Sequence, residues 1–253
     1  MIFQLKKTAF LFICLVIIFL ACNSSDNNTT KEQEQTGIQP KLFLLSKGLE
    51  TDTLKQAFLE FLDTEVNKQK VAVIVNASSS DKKKVKKVKK VKRRFQEIGF
   101  DSTQIELFDV MKRNPRELVD FDIIYTLGGN PFLLLDEVKK SGAGAVLSEI
   151  AYEYKDKVLM GYSAGTLLLG PNMELMNAVD SLLGFNEMQL TELTCLELYD
   201  FLIFPHYDEF TAEVEGLAEA IRQFEEQSTF EIIRLNDNEG IMIKDGQMKF
   251  VGR

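Results

Sequence analysis

Five short apolar runs, most of them followed by a helical pattern, constrain this chain more than any other feature. They are Lys41–Leu45, Val71–Val75, Gln104–Phe108, Asp122–Leu127 and Lys157–Gly161. The stretches TLKQAFLEFLDTEV, DKKKVKKVKKVKRRF, NPRELVDF and PFLLLDEVKKSG lie between them and carry helical spacing. Val71–Val75 is rich in β-branched residues, as strands buried on both faces are. Strand–helix alternation without an early hairpin signal predicts an α/β fold with a doubly wound, mostly parallel sheet. Further on, FLIFPHY reads as a strand and Glu209 to Glu226 as a helix. FEIIRL, GIMIKDG and MKFVG read as closing strands, with KDGQ as a hairpin turn. There is no internal repeat, so residues 41–253 are expected to form a single α/β domain.

The N-terminus reads as a targeting segment. Lys6 and Lys7 precede an uncharged, mostly apolar stretch from Thr8 to Ala21, shorter than the roughly 20 residues that span a bilayer. Residues 1–21 are expected to be a lipoprotein signal peptide, with Cys22 the lipidated first residue of the mature chain; an uncleaved anchor is the alternative. Residues 22–40 are polar and read as a flexible tether. Both readings place the domain in the cell envelope, outside the cytoplasm and held to a bacterial membrane. Beyond Cys14 and Cys22 only Cys195 remains, which allows no internal disulfide; beside Leu193 and Leu196 it reads as a core residue. The net charge of -8 argues against nucleic acid as a partner.

One segment runs against that charge. Every residue from Lys82 to Arg94 is Lys or Arg except Val85, Val88 and Val91. With Phe95, these valines recur every three to four residues, so the favoured reading is an amphipathic helix with a solvated lysine face. Contact with anionic lipid head groups is the competing one.

Ligands of open α/β sheets bind beyond the carboxyl ends of the strands. Two loops are expected there, Gly128-Gly129-Asn130 after the fourth strand and Gly161-Tyr162-Ser163-Ala164-Gly165 after the fifth. G-x-S-x-G between an apolar strand and an apolar helix places a serine on a sharp turn with its hydroxyl exposed, and the following N–H, on Ala164, faces the space where an oxyanion would form. A serine hydroxyl needs a base. The chain has a single histidine, His206, which follows a buried strand and emerges at the same edge. Between Ser163 and His206 the carboxylates that could orient the imidazole are Glu174, Asp180, Glu187, Glu192, Glu197 and Asp200, and spacing does not choose among them. A lone histidine with scattered carboxylates offers no metal-ligand cluster, and no cofactor is expected.

The segments IYTLGGNPFLLLDEVKKSG, VLMGYSAGTLLLGPNM, FPHYDEF and RLNDNEGIMIKDGQMKFVG occur in the order found in the dipeptidase E and cyanophycinase-like serine peptidases, and from Lys41 to Arg253 the chain resembles that family. The resemblance implies a class I glutamine-amidotransferase-like fold. It implies Ser163 as nucleophile, His206 as base, an oxyanion hole of the Gly129 and Ala164 N–H groups, and Asn130 lining the substrate pocket. It also places the acid shortly after the serine, where the simplest alignment falls on Ala178 and the nearest carboxylate is Asp180, with Asp200 and Glu174 in reserve. The family's arginine-containing stretch after the histidine, which binds a substrate aspartate, is here acidic, with Asp208, Glu209, Glu213 and Glu215. The aspartyl specificity is therefore not carried over.

The expectation is a membrane-tethered serine hydrolase of short peptides, a homodimer being one permitted assembly. The reading from another class is a catalytically silent lipoprotein that uses the same fold to bind a ligand or partner.

Overall fold

The computed structural model describes residues 39–253. The signal-peptide and lipidation readings, with Cys14, Cys22 and nearly all of the tether, lie outside the described residues. The described residues cluster as one compact unit. No helix among the described residues is long and apolar enough to cross a membrane.

In chain order the elements are β1 (Leu42–Leu45), α1 (Asp52–Phe61), β2 (Val71–Ile74), α2 (Asp81–Gln96), β3 (Ile105–Phe108), β4 (Ile123–Thr126), α3 (Pro131–Ser141), α4 (Ala143–Glu153) and β5 (Val158–Tyr162). There follow α5 (Ala164–Leu169), α6 (Glu174–Ala178), α7 (Asp180–Leu183), β6 (Leu202–Phe204), α8 (Tyr207–Glu213), α9 (Leu217–Glu225), β7 (Ile232–Arg234), β8 (Gly240–Lys244) and β9 (Gln247–Val251). The main sheet has the order β3-β2-β4-β5-β1-β8-β9, its first five strands parallel and the β8–β9 hairpin antiparallel.

Side chains alternate across each parallel strand, so the sheet separates two cores. Leu42, Leu44, Ala72, Ile74, Ile124 and Leu159 face one; Phe43, Leu45, Val71, Val73, Tyr125 and Met160 face the other. The second core is closed by Leu54, Phe58 and Phe61 of α1 and by Val88, Val91 and Phe95 of α2. The first is closed by α3, α4 and α5 and by a separate two-stranded parallel sheet of β6 and β7. Connections running from β1 outward to β3 thus cross one face, and those returning through β4 to β5 cross the other. That is the doubly wound arrangement, because right-handed crossovers in opposite directions must use opposite faces. The chain reverses between β2 and β4, and the crevice at their carboxyl ends is the switch point where such sheets bind ligands.

Local chemistry sets the helix ends. Thr51 caps α1 by accepting from Leu54 N–H, and Asn130 caps α3 by accepting from Leu133 N–H at 3.0 Å, with Pro131 in the first turn. Gly142 ends α3 in the left-handed conformation at φ 74°, but α4 begins on the very next residue, a helix absent from the sequence reading. The helix expected from Glu209 to Glu226 is two, broken between Glu213 and Leu217, where Gly216 adopts φ 80°. FEIIRL pairs with β6 rather than with the main sheet.

The lysine-rich helix forms as expected with a different stripe. Val85 is 47% exposed, and Lys84 takes the buried place below Val88, Val91 and Phe95. Its ammonium meets Asp109 at 2.8 Å, and Asn76 donates to the same carboxylate at 2.8 Å. Burial would raise the Asp109 pKa, but the hydrogen bonds from Lys84, Asn76 and the Met111 N–H outweigh it and hold the carboxyl below its ordinary value.

Candidate active site

Ser163 occupies the turn between β5 and α5 at φ 51°, ψ -120°, a region that non-glycine residues avoid at a cost on the order of 1–3 kcal/mol. Its surroundings hold it there. Ser163 N–H donates to Leu45 O at 3.0 Å, and Ser163 O accepts from Thr166 and Leu167 N–H. The buried Thr166 hydroxyl donates to Leu45 O at 2.9 Å and accepts from Leu45 N–H at 3.1 Å, pinning α5 to β1. Both glycines are required by close approach: a Cβ on Gly161 would lie 2.6 Å from the Gly165 backbone, and one on Gly165 2.0 Å from Thr126 O. It is a sharp strand-to-helix turn, with Ser163 half-buried. Ala164 is the first residue of α5, so its N–H is one of the helix's unshared first-turn donors.

The loop after β4 packs directly on this turn, since β4 and β5 are neighbours. A Cβ on Gly128 would lie 2.8 Å from the Ser163 Cβ; one on Gly129, at φ 147°, would lie 2.2 Å from Ala77 O. Asn130 N–H donates to Ala77 O at 2.9 Å, and among the described residues nothing accepts from Gly129 N–H. The Asn130 carboxamide caps α3 and donates to Phe185 O at 2.7 Å. It therefore braces the wall of a cleft of about 670 Å³ lined in part by Ser78, Lys83, Lys87, Gly129 and Phe185.

His206 lies two residues beyond β6 in the left-handed region, φ 54°, and opens α8. Its N–H donates to Ser46 Oγ at 2.7 Å, one residue along from the Leu45 carbonyl that holds Ser163. Consecutive residues at the end of β1 thus hold the serine turn and the histidine on one edge. The imidazole Nδ1 meets Asp237 Oδ1 at 2.6 Å, and the ring packs against Phe210. Parallel pairing of β6 with β7, Phe204 opposite Arg234, brings these two loops side by side.

Asp237 is the carboxylate behind the histidine, and this corrects the expectation of Asp180. Asp180 Oδ1 accepts from Phe185 N–H at 2.7 Å and Asn186 N–H at 2.9 Å, closing the loop after α7. Of the reserves, Glu174 opens α6 and Asp200 is exposed ahead of β6; neither is among the partners of His206.

Two further residues meet here. The Lys47 ammonium pairs with Asp237 Oδ2 and, at 3.2 Å, with Glu209 Oε2, which lies 3.9 Å from His206 Nδ1. Burial would raise Asp237, but hydrogen bonds from Lys47 and His206 prevail and hold its pKa below the ordinary value. The Asp237 hydrogen bond in turn raises Lys47. Folding thus gathers His206, Glu209 and Asp237, with donor atoms within 4.8 Å of one another, where the sequence suggested only scattered carboxylates. That donor set suits a divalent ion, but Lys47 already supplies the positive charge between Asp237 and Glu209. Cys195 has no part in the site: burial pushes its thiol up to about 12.

This fold and site have known counterparts. The family model of peptidase family S51 matches residues 42–251. An uncharacterized peptidase of Listeria innocua is 30% identical over 161 residues, covering 62% of this chain and 75% of its own. One from Pasteurella multocida is 29% identical over 174 residues, covering 67% and 78%. Among solved structures, a Listeria monocytogenes protein named for peptidase E superposes with a TM-score of 0.63 at 26% identity over 83% of this chain and 97% of its own. A peptidase from an acI-B1 actinobacterium superposes at 0.62 with 18% identity over 86% and 89%, a likeness of fold alone. The chain belongs to peptidase family S51, of the serine type, with the class I glutamine-amidotransferase-like fold.

Proposed function

We propose that this chain hydrolyses short peptides through Ser163, His206 and Asp237. The observation that carries the reading is the 2.6 Å contact of Asp237 with His206 Nδ1, on the edge that also presents Ser163. Asp237 keeps the proton on Nδ1, which leaves Nε2 free to act as base. Ser163 Oγ attacks the scissile carbonyl while His206 takes its proton. The Gly129 and Ala164 N–H groups receive the developing oxyanion. His206 then returns the proton to the leaving amine, and water releases the acyl group by the same steps in reverse. Lys47 stabilises the ionised form of Asp237 throughout. The rival reading, a silent binding protein, loses ground because Asp237 stands where a triad needs a carboxylate.

The same proposal keeps the domain in the cell envelope, tethered through a lipid on Cys22. Metabolic labelling with a fatty-acid analogue tests this: label lost in Cys22→Ala supports the tether, and an unlabelled wild-type chain removes it. A fluorophosphonate probe tests the chemistry. Labelling is expected in the wild type, absent in Ser163→Ala and slowed at least about 10³-fold in His206→Ala. A folded wild-type protein that takes up no label sinks the hydrolase reading.

A further inference from the structure

The lysine-rich helix was read from sequence as a solvated face, yet one of its lysines turns inward to the candidate site. Lys87 is half-buried, and its ammonium donates to Gly128 O at 2.5 Å. We propose that Lys87 is a positioning residue for the oxyanion hole, setting and polarising the Gly128–Gly129 peptide so that Gly129 N–H is presented to the reacting carbonyl oxygen. The inference rests on the hydrolase reading given above.

The argument begins with the peptide unit. In a trans peptide the carbonyl and the following N–H point in opposite directions. A cation fixed on Gly128 O therefore directs Gly129 N–H away from α2. The unit sits against the nucleophile, because a Cβ on Gly128 would lie 2.8 Å from the Ser163 Cβ. Glycines at both positions leave the orientation of this plane to its contacts. Its flanks are held where Asn130 N–H donates to Ala77 O and where the Gly128 backbone hydrogen-bonds Tyr162. Lys87 holds the carbonyl itself. Withdrawing electrons from the carbonyl also makes the N–H of the same amide a stronger donor. Aim and polarity act on one bond, at the place where preorganised donors matter most for acyl transfer.

Lys87 carries this role as a half-buried cation. Burial lowers its pKa, and the neighbouring Lys83 charge lowers it further. The charged or titratable groups around it are Lys83, Lys86, Lys89, Lys90, Arg93 and Arg94 on its own helix and Lys47 and Glu50 from the segment after β1. Tyr125 of β4, Tyr162 of β5 and Glu187 of the cleft complete the surroundings. Tyr125 and Tyr162 are raised by burial and Lys47 by Asp237, the opposite direction to Lys87. As pH rises, Lys87 should lose its proton below the ordinary lysine range, and with it the restraint on the peptide.

The test is the bimolecular rate of labelling by a neutral fluorophosphonate in full-length protein, measured across pH for the wild type and three variants. Lys87→Gln is expected to label about 10- to 50-fold more slowly, less than the 10²–10³-fold loss of an entire oxyanion donor, with its melting temperature close to that of the wild type. Lys87→Arg keeps a permanent cation, so it should recover most of the rate and lack the alkaline decline seen in the wild type. Lys82→Gln removes a charge from the exposed face of the same helix without touching Gly128 or the cleft, and should label as the wild type does. The inference is overturned if Lys87→Gln labels at the wild-type rate, if its loss only follows the unfolded fraction, or if Lys82→Gln is slowed equally. A wild type unlabelled at Ser163 would instead remove the hydrolase reading, and this inference with it.

Discussion

Asp237 and Asp180 are both aspartates near a loop, and what each touches separates their roles. Asp180 accepts two backbone N–H groups; Asp237 holds an imidazole and a lysine. Asp237→Asn is expected to lower peptide turnover by on the order of 10³–10⁴ through the wrong histidine tautomer, with little loss of fold. Asp180→Asn should leave turnover nearly intact and lower the melting temperature by a few degrees; parallel kinetics and thermal melts distinguish them. Lys47 permits a pH test of the same contact. Because Asp237 is depressed in the folded chain, its useful ionised form persists above that low pKa and is lost as pH falls through it. Lys47→Met removes the nearest cation, so the acid limb of the rate–pH profile is expected to move to higher pH.

Turn and helix α5 succeed only because β4, β5 and α5 nearly touch. A Cβ at Gly165 has no room: it would lie 2.0 Å from the backbone oxygen of Thr126, which cannot swing aside as a side chain would. Gly165→Ala is expected to cost about 3 kcal/mol or more, or to prevent folding, as read by denaturant unfolding. Gly142→Ala meets no atom within 4 Å and suffers only the φ 74° conformation, so its cost should stay near 1 kcal/mol. In α2, helical spacing and the inward Val88, Val91 and Phe95 were legible, but the first turn of that face was not. Val85, apolar, faces out, while Lys84 turns in because Asp109 and Asn76 offer it a buried partner. Periodicity ranks side chains by hydrophobicity and has no knowledge of an acid arriving from β3.

Across the whole domain, buried or paired carboxylates set the response to acid. Asp63, Asp109, Asp237 and Glu225 all have depressed pKa values: Asp63 and Glu225 through hydrogen bonds from Lys244, Lys41 and Arg234, the other two despite burial. Each contributes stability that is complete above its unfolded pKa near 4 and is lost as pH falls through the lower folded value. The melting temperature is therefore expected to hold from pH 7 to about 5 and to fall steeply below 4.

The order of the strands, the strained serine turn, the glycine loop beside it and the lone histidine at the same edge were legible in the sequence alone, whereas α4 and the break between α8 and α9 were not. Each legible feature depends on contacts a few residues long: β-branched runs, caps at Thr51 and Asn130, and glycines spaced around Ser163. The partner of His206 was decided only by the tertiary structure. Asp237 lies 31 residues beyond the histidine, and the two meet because β6 and β7 pair in parallel outside the main sheet. The same holds for Lys47 from the segment after β1 and for Lys87 from a helix that crosses the sheet on the opposite face from α5. Local pattern specifies an element and the edge at which it ends; which charged side chains converge there depends on strand pairing and helix docking, and these are set by burial across the whole chain.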